Sequence, residues 1–235
     1  MNLTNERRHA TNVANFRFVI SYVTCYGISY NPTKDPIKLP ALNTLFTNAK
    51  NSLTAVYTTL ALFDNATNAR EIAFAPLSKL VARILNALDS ADASRQVVKD
   101  AKIITGKIQG RRATLNSSEP VNISASQISF DNRIENFSKL ITLLKSEPLY
   151  APNETDLKLP SLNTLLVLLK IANTAIVNAT TQLGNARINR NKILYNAGTG
   201  LYNIQLEVKK YIKSVFGATS PEYWQVRGIK FTKPR

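Results

Sequence analysis

Cysteine, histidine and negative charge are all scarce in this sequence, and each shortage removes a class of protein. The single cysteine, Cys25, leaves no intramolecular disulfide. In its apolar surroundings it reads as a small core residue rather than a nucleophile. The single histidine, His9, rules out a metal site built from histidines within one chain, and no spacing of carboxylates suggests a mixed one. It also removes the general base of a Ser-His-Asp type of triad, because His9 sits in a tail with no acid near it in sequence to orient it. Fifteen Asp and Glu, scattered singly, face 30 Lys and Arg, which leaves a net charge of +15.

Phosphate-binding loops are missing as well. Gly198 and Gly200 make a GTG, but the rest of a dinucleotide fingerprint is absent, and no Gly-Lys-Ser/Thr follows any glycine-rich turn. The apolar run Val13–Ile28 follows Arg7, Arg8 and His9 as a signal peptide would. Arg17 interrupts it, however, and no small-residue cleavage site follows, so it reads as a core helix. No stretch reaches the roughly 18 uninterrupted apolar residues of a membrane span. Asn-X-Ser/Thr triplets begin at Asn2, Asn65, Asn116, Asn122, Asn136, Asn153 and Asn178, but a chain rich in Asn and Thr produces them by chance. These absences lead to the expectation of a non-enzymatic cytoplasmic protein with no cofactor and no bound metal.

What the chain does hold is a repeat. Ile37–Leu45 reads IKLPALNTL and Leu157–Leu165 reads LKLPSLNTL, seven identities in nine at an offset of 120. Proline suits the first turn of a helix, so Pro40 and Pro160 each open one, with Leu39 and Leu159 pushed toward an extended conformation. Leu42, Leu45, Ala49, Leu53, Val56, Leu60 and Phe63 then form one apolar stripe. Leu162, Leu166, Leu169, Asn173, Ile176, Thr180 and Leu183 form a less clean second. The first of these helices meets no Gly or Pro before Pro76, enough for about 35 residues or roughly 50 Å, unless the polar patch Asp64–Asn68 breaks it. Asn65, Ala66 and Arg70 recur as Asn185, Ala186 and Arg190, and Pro76 falls beside the Ala197–Gly200 turn.

A first helix over Thr4–Ser29 precedes the stripe, with Val13, Phe16, Ile20 and Val23 on one face. A third follows it through Leu77, Leu80, Val81, Ile84, Leu85 and Leu88. Its counterpart, Leu201, Ile204, Val208, Tyr211, Ile212 and Val215, stops at Gly217. Ser94 and Ser220 open short turns, and Ser220 followed by Pro221 and Glu222 is an N-cap signature. Basic pieces, Lys102–Lys107 and Lys230–Arg235, then read as short strands. The expected fold class is all-α: duplicated three-helix units forming a bundle with approximate twofold symmetry, each followed by a short extended basic tail. The boundaries are 1–109 for the first unit, 110–126 for a polar linker and 127–235 for the second, with one fused core favoured over two.

Charge is distributed unevenly. From Lys158 to Arg235 there are 12 basic residues against Glu207 and Glu222, a balance of +10. Lys209, Lys210 and Lys213 lie on the helical face opposite Leu201, Ile204, Val208 and Val215. At the 120-residue offset they correspond to Asp89, Ser90 and Ala93, so the fold does not require them. Arg187, Arg190 and Lys192 make a second basic group, although Arg190 matches Arg70 and so fits a structural role. Arg227, Lys230, Lys233 and Arg235 form a basic tail beside Tyr223, Trp224 and Phe231. Cations interleaved with aromatics suit nucleic acid, where charges take phosphates and rings stack on exposed bases.

The alternative is that the rings pack on the bundle and the charges are solvated. These ten cations are the candidate nucleic-acid-binding residues, contacting a backbone without strong sequence preference, since no reader motif is present. Another polyanion is an open partner, and the competing expectation is a structural or adaptor helical bundle that self-assembles or binds an acidic protein partner.

Overall fold

The computed structural model describes residues 3–110 and 129–233, and every regular element among them is helical. In chain order these are α1 (Leu3–Cys25), α2 (Leu39–Phe74), α3 (Leu77–Asp89), α4 (Arg95–Ile108), α5 (Phe130–Lys145), α6 (Leu159–Tyr195), α7 (Leu201–Phe216) and α8 (Pro221–Arg227). Apart from Gly110, the expected linker over 110–126 lies outside the described residues, as does Gln127.

In α1 the buried residues Val13, Phe16, Val19, Ile20 and Val23 follow steps of three and four. That spacing turns Cys25 outward, and the cysteine expected in the core is exposed. Gly27, at φ +53°, then stops the helix short of Ser29. In α2 and α6 the extended residue is Lys38 or Lys158, one place before the leucine that precedes proline. Leu42 N–H donates to the Lys38 carbonyl at 3.0 Å, and Leu162 N–H to the Lys158 carbonyl at 3.1 Å, which draws each leucine into the first turn.

α2 runs unbroken for 36 residues, about 54 Å. Asp64, Asn65 and Asn68 face solvent and the Thr67 hydroxyl donates to the Phe63 carbonyl at 2.9 Å, so the polar patch is accommodated without a break. Lys102–Lys107, read above as a strand, is the last half of α4. Ser94 caps that helix by accepting from Val97 N–H at 3.3 Å, and Ala101, Thr105 and Ile108 give it a buried face. The tail after α8 is without regular structure through Lys233.

The chain packs as two compact units, Met1–Leu62 with Thr180–Arg235, and Phe63–Ala179. Each has its own core, in place of the single fused core expected. The first is built around Phe16, Leu42, Leu201, Val208 and Val226. The second is built around Phe74, Ile84, Phe137, Leu144 and Leu162. Every such fully buried side chain contributes about 1.5–3 kcal/mol.

These units divide the chain differently from the expected boundaries at 1–109 and 127–235. The first takes α1 and the start of α2 from residues 1–109, and the end of α6 with α7 and α8 from residues 127–235; the second takes the remainder. α2 and α6 therefore change unit within their length, after Leu62 and after Ala179. A helix of that length outruns the core that a single first helix can cover, and each end of its stripe is buried with a different set of partners.

Matching bonds occur in the two units. Tyr30 hydroxyl donates to the Ile37 carbonyl at 2.7 Å, and Tyr150 hydroxyl to the Leu157 carbonyl at 2.9 Å. Burial pushes the Tyr150 hydroxyl up to about 12, with Asp156 and Glu154 adding to it. In the second unit the Arg70 guanidinium lies 3.9 Å from the Phe130 ring centroid and donates to Asn173 Oδ1 at 3.3 Å. Buried positions in α3 (Leu77, Val81, Ile84, Leu88) and α7 (Leu201, Gln205, Val208, Ile212) share one spacing, but at an offset of 124 rather than 120. The difference falls in the longer turn Asn196–Gly200, where Gly200 packs against the Asn196 backbone.

By length and composition α6 is also apolar enough to cross a membrane, with an 18-residue window of mean hydropathy 1.4 of which 33% is buried. Polar residues such as Asn163, Thr164 and Asn173 interrupt its apolar runs, and a core helix of a soluble protein reaches the same mean. Val167, Leu168 and Ile171 lie exposed on one of its faces.

Candidate nucleic-acid interface

Sorted by compact unit, the charge is about as uneven per residue as along the linear sequence. The first unit holds 16 Lys and Arg against four Asp and Glu, a net +12. The second holds 14 against 11, a net +3. Lys158 and Lys170, counted above with the basic end of the chain, belong to the second unit. Arg7, Arg8, Arg17, Lys34, Lys38 and Lys50 join the first.

Three of the ten candidate cations are engaged inside the first unit. Arg190 is 4% exposed and donates to Glu6 Oε2 at 2.6 Å. Arg187 Nε stands 3.9 Å from the same carboxylate. A buried charge of this kind is held by its partner and is not offered to a ligand. His9, expected in a tail, is a buried residue of α1: its Nδ1 lies 2.7 Å from the Tyr195 hydroxyl. Burial pushes the His9 pKa down, Arg190 adds to this, and Glu6 opposes it.

Lys209 is the third. Its Nζ donates to the Ile229 carbonyl at 2.5 Å and lies 5.3 Å from the Phe231 ring centroid, and burial lowers its pKa. Asn12 completes the clamp on the tail, donating to the Thr232 carbonyl at 2.7 Å and accepting from Thr232 N–H at 3.0 Å. Asn15 donates to the Lys230 carbonyl at 2.7 Å. These asparagines carry no sequence signal: two polar residues in a helix look solvated until a segment some 215 residues away is laid against them.

Lys192, Lys210, Lys213, Arg227, Lys230 and Lys233 are exposed, and Arg235 lies outside the described residues. Among the described residues none of these six forms an ion pair with an acid. Three of the four acids in the unit are taken by other cations: Glu6 by Arg190, Asp35 by Lys38 and Glu207 by Lys34. Judged at the offset of 124, Lys209, Lys210 and Lys213 match Leu85, Asn86 and Asp89 of α3. Neither offset sets a cation opposite these three lysines.

Of the three tail aromatics, Tyr223 and Phe231 pack against the core. Trp224 does not. Its ring is exposed, with the Arg227 guanidinium 4.2 Å from the centroid, and Lys213 Nζ lies 5.8 Å from the Tyr223 ring. Among the described residues no group of three or more His, Cys, Asp or Glu is placed to hold a metal ion. No protein-family model, curated protein or solved structure matches this chain.

Proposed function

We propose that this chain is a non-enzymatic protein that binds nucleic-acid backbone, without strong sequence preference, through the cationic exterior of its first compact unit. The observation that carries this reading is the set of six exposed cations that form no ion pair among the described residues, in a unit of net charge +12. Six phosphate contacts give a salt slope of log K near −4 on single strands and −5 on duplex, about a thousandfold loss between 50 and 200 mM salt. A mobility-shift titration across that range should show it. The paired change Lys210→Glu and Lys213→Glu, at exposed positions of α7, should cost at least about tenfold in affinity and flatten the slope by about two to four contacts. Absence of any retardation at low salt sinks the reading.

We also read the two sequence copies as a duplicated module with approximate twofold symmetry. Support comes from the repeated tyrosine hydrogen bond, from Arg70 over the Phe130 ring with Arg190 close enough to His9 to lower its pKa, and from the shared burial register of α3 and α7. On this reading only the later copy gained the α7 lysines.

A second reading, a self-assembling or adaptor bundle, is favoured by Val167, Leu168 and Ile171 on the open face of α6. The matching places of α2 hold Thr47, Asn48 and Asn51, so the fold does not demand the apolar face. Salt separates the two, because it screens phosphate contacts and leaves apolar association intact.

A further inference from the structure

We infer that α8 presents a base-stacking platform, Trp224 with Arg227, and that the ligand of the first unit is single-stranded nucleic acid; this rests on the nucleic-acid reading above. Trp224 is the chain's one tryptophan and is 56% exposed, although tryptophan is highly buried on average. Its exposure is built in rather than accidental. Val226 plugs into the core, Ser220 accepts from Tyr223 N–H at 3.1 Å, and the Tyr26 hydroxyl donates to the Glu222 carbonyl at 2.9 Å. Held at its N-terminal end and on its inner face, α8 keeps residues 224 and 227 outward, one helical turn apart.

A surface that only attracted anions would need no ring. Here the guanidinium of Arg227 lies over the indole, giving a flat surface with a cation as part of it, and Lys213 stands beside the preceding residue. That pairing fits a ligand with charge and flat apolar faces in alternation, which is a strand with unstacked bases. Duplex hides those faces, and inorganic polyanions lack them. A lipid surface is less suited, because the Arg227 guanidinium lies over the indole and the neighbouring Gln225 is exposed, so the ring does not stand free for insertion. α4, the helix that follows α3 as α8 follows α7, contains no aromatic residue, so the position has no structural need of one.

Because Trp224 is alone, indole emission reports on this place directly. The full chain is titrated at low salt with a short oligothymidylate, the same length of duplex, inorganic polyphosphate and phosphatidylserine vesicles. Mobility shifts are run on the nucleic acids in parallel. Saturable quenching by the single strand alone is expected. Trp224→Leu should weaken strand binding about five- to hundredfold and leave polyphosphate binding unchanged. Retardation of the strand with unchanged emission would remove the platform and leave the cationic surface standing. Equal quenching by duplex or polyphosphate, or a blue shift with vesicles alone, also overturns the inference; loss of all retardation overturns the underlying reading as well.

Discussion

His9 lies with its ring centroid 5.5 Å from that of Tyr195, among Arg190, Glu6 and Asn12, and this pocket accepts a neutral imidazole. Its pKa is held below 6.5, chiefly by burial. As pH falls through 6.5 the unfolded chain takes up a proton that the folded chain refuses, so the unfolded state binds more protons and stability declines. Above that value the contribution is constant. Thermal midpoints followed by circular dichroism should therefore be level from about pH 8 to 7 and drop between about 6.5 and 5. His9→Phe, which takes away the titrating group, should remove the drop. The surface carboxylates with lowered pKa values, Asp35, Glu135 and Asp156, titrate below 4.5 and stay out of this window. A midpoint unchanged down to pH 5 would end the account. Arg190 shows what a single residue discloses: its match to Arg70 hinted at a structural role, while its carboxylate partner, 184 positions away, could not be read.

At the scale of elements, the long helices are tested by their glycines. A Cβ on Gly184, inside α6, would meet nothing within 4 Å, so Gly184→Ala should raise stability by about 0.5–1 kcal/mol through lost freedom of the unfolded chain. The same change at Gly200 puts a Cβ 2.5 Å from Asn196 N, and should destabilise and loosen the start of α7. Chemical denaturation of the two variants gives opposite shifts if α6 and its turn are as described; shifts of one sign would contradict it. Helices of this kind were legible because proline, glycine and a 3.6-residue stripe mark them independently of what they pack against. The stretch Lys102–Lys107 misled because Ile103, Ile104 and Thr105 are β-formers, and local preference yielded to the cap at Ser94 and the buried face of α4. In α7 apolar residues crowd both faces, and only burial separates Gln205, inside, from Leu206, outside.

At the scale of the molecule, a repeat in sequence and a unit of packing need not coincide. Each sequence copy holds parts of both cores: residues 1–109 contain Phe16 and Leu42 without Leu201 and Val208, and Phe74 and Ile84 without Phe137 and Leu162. Only Phe63–Ala179 is a compact unit made from one continuous stretch. Expressed alone it should be helical and melt cooperatively, whereas 1–109 and 127–235 should lack a cooperative transition, since each leaves two half-cores open to water. Charge makes the same fragment a test of function. With a net +3 against +12, residues 63–179 should leave a strand unretarded at a salt concentration where the whole chain binds it. A folded 63–179 that binds as tightly as the full chain would move the interface off α7 and α8. A cooperative 1–109 would show that the copy, rather than the compact unit, is what folds.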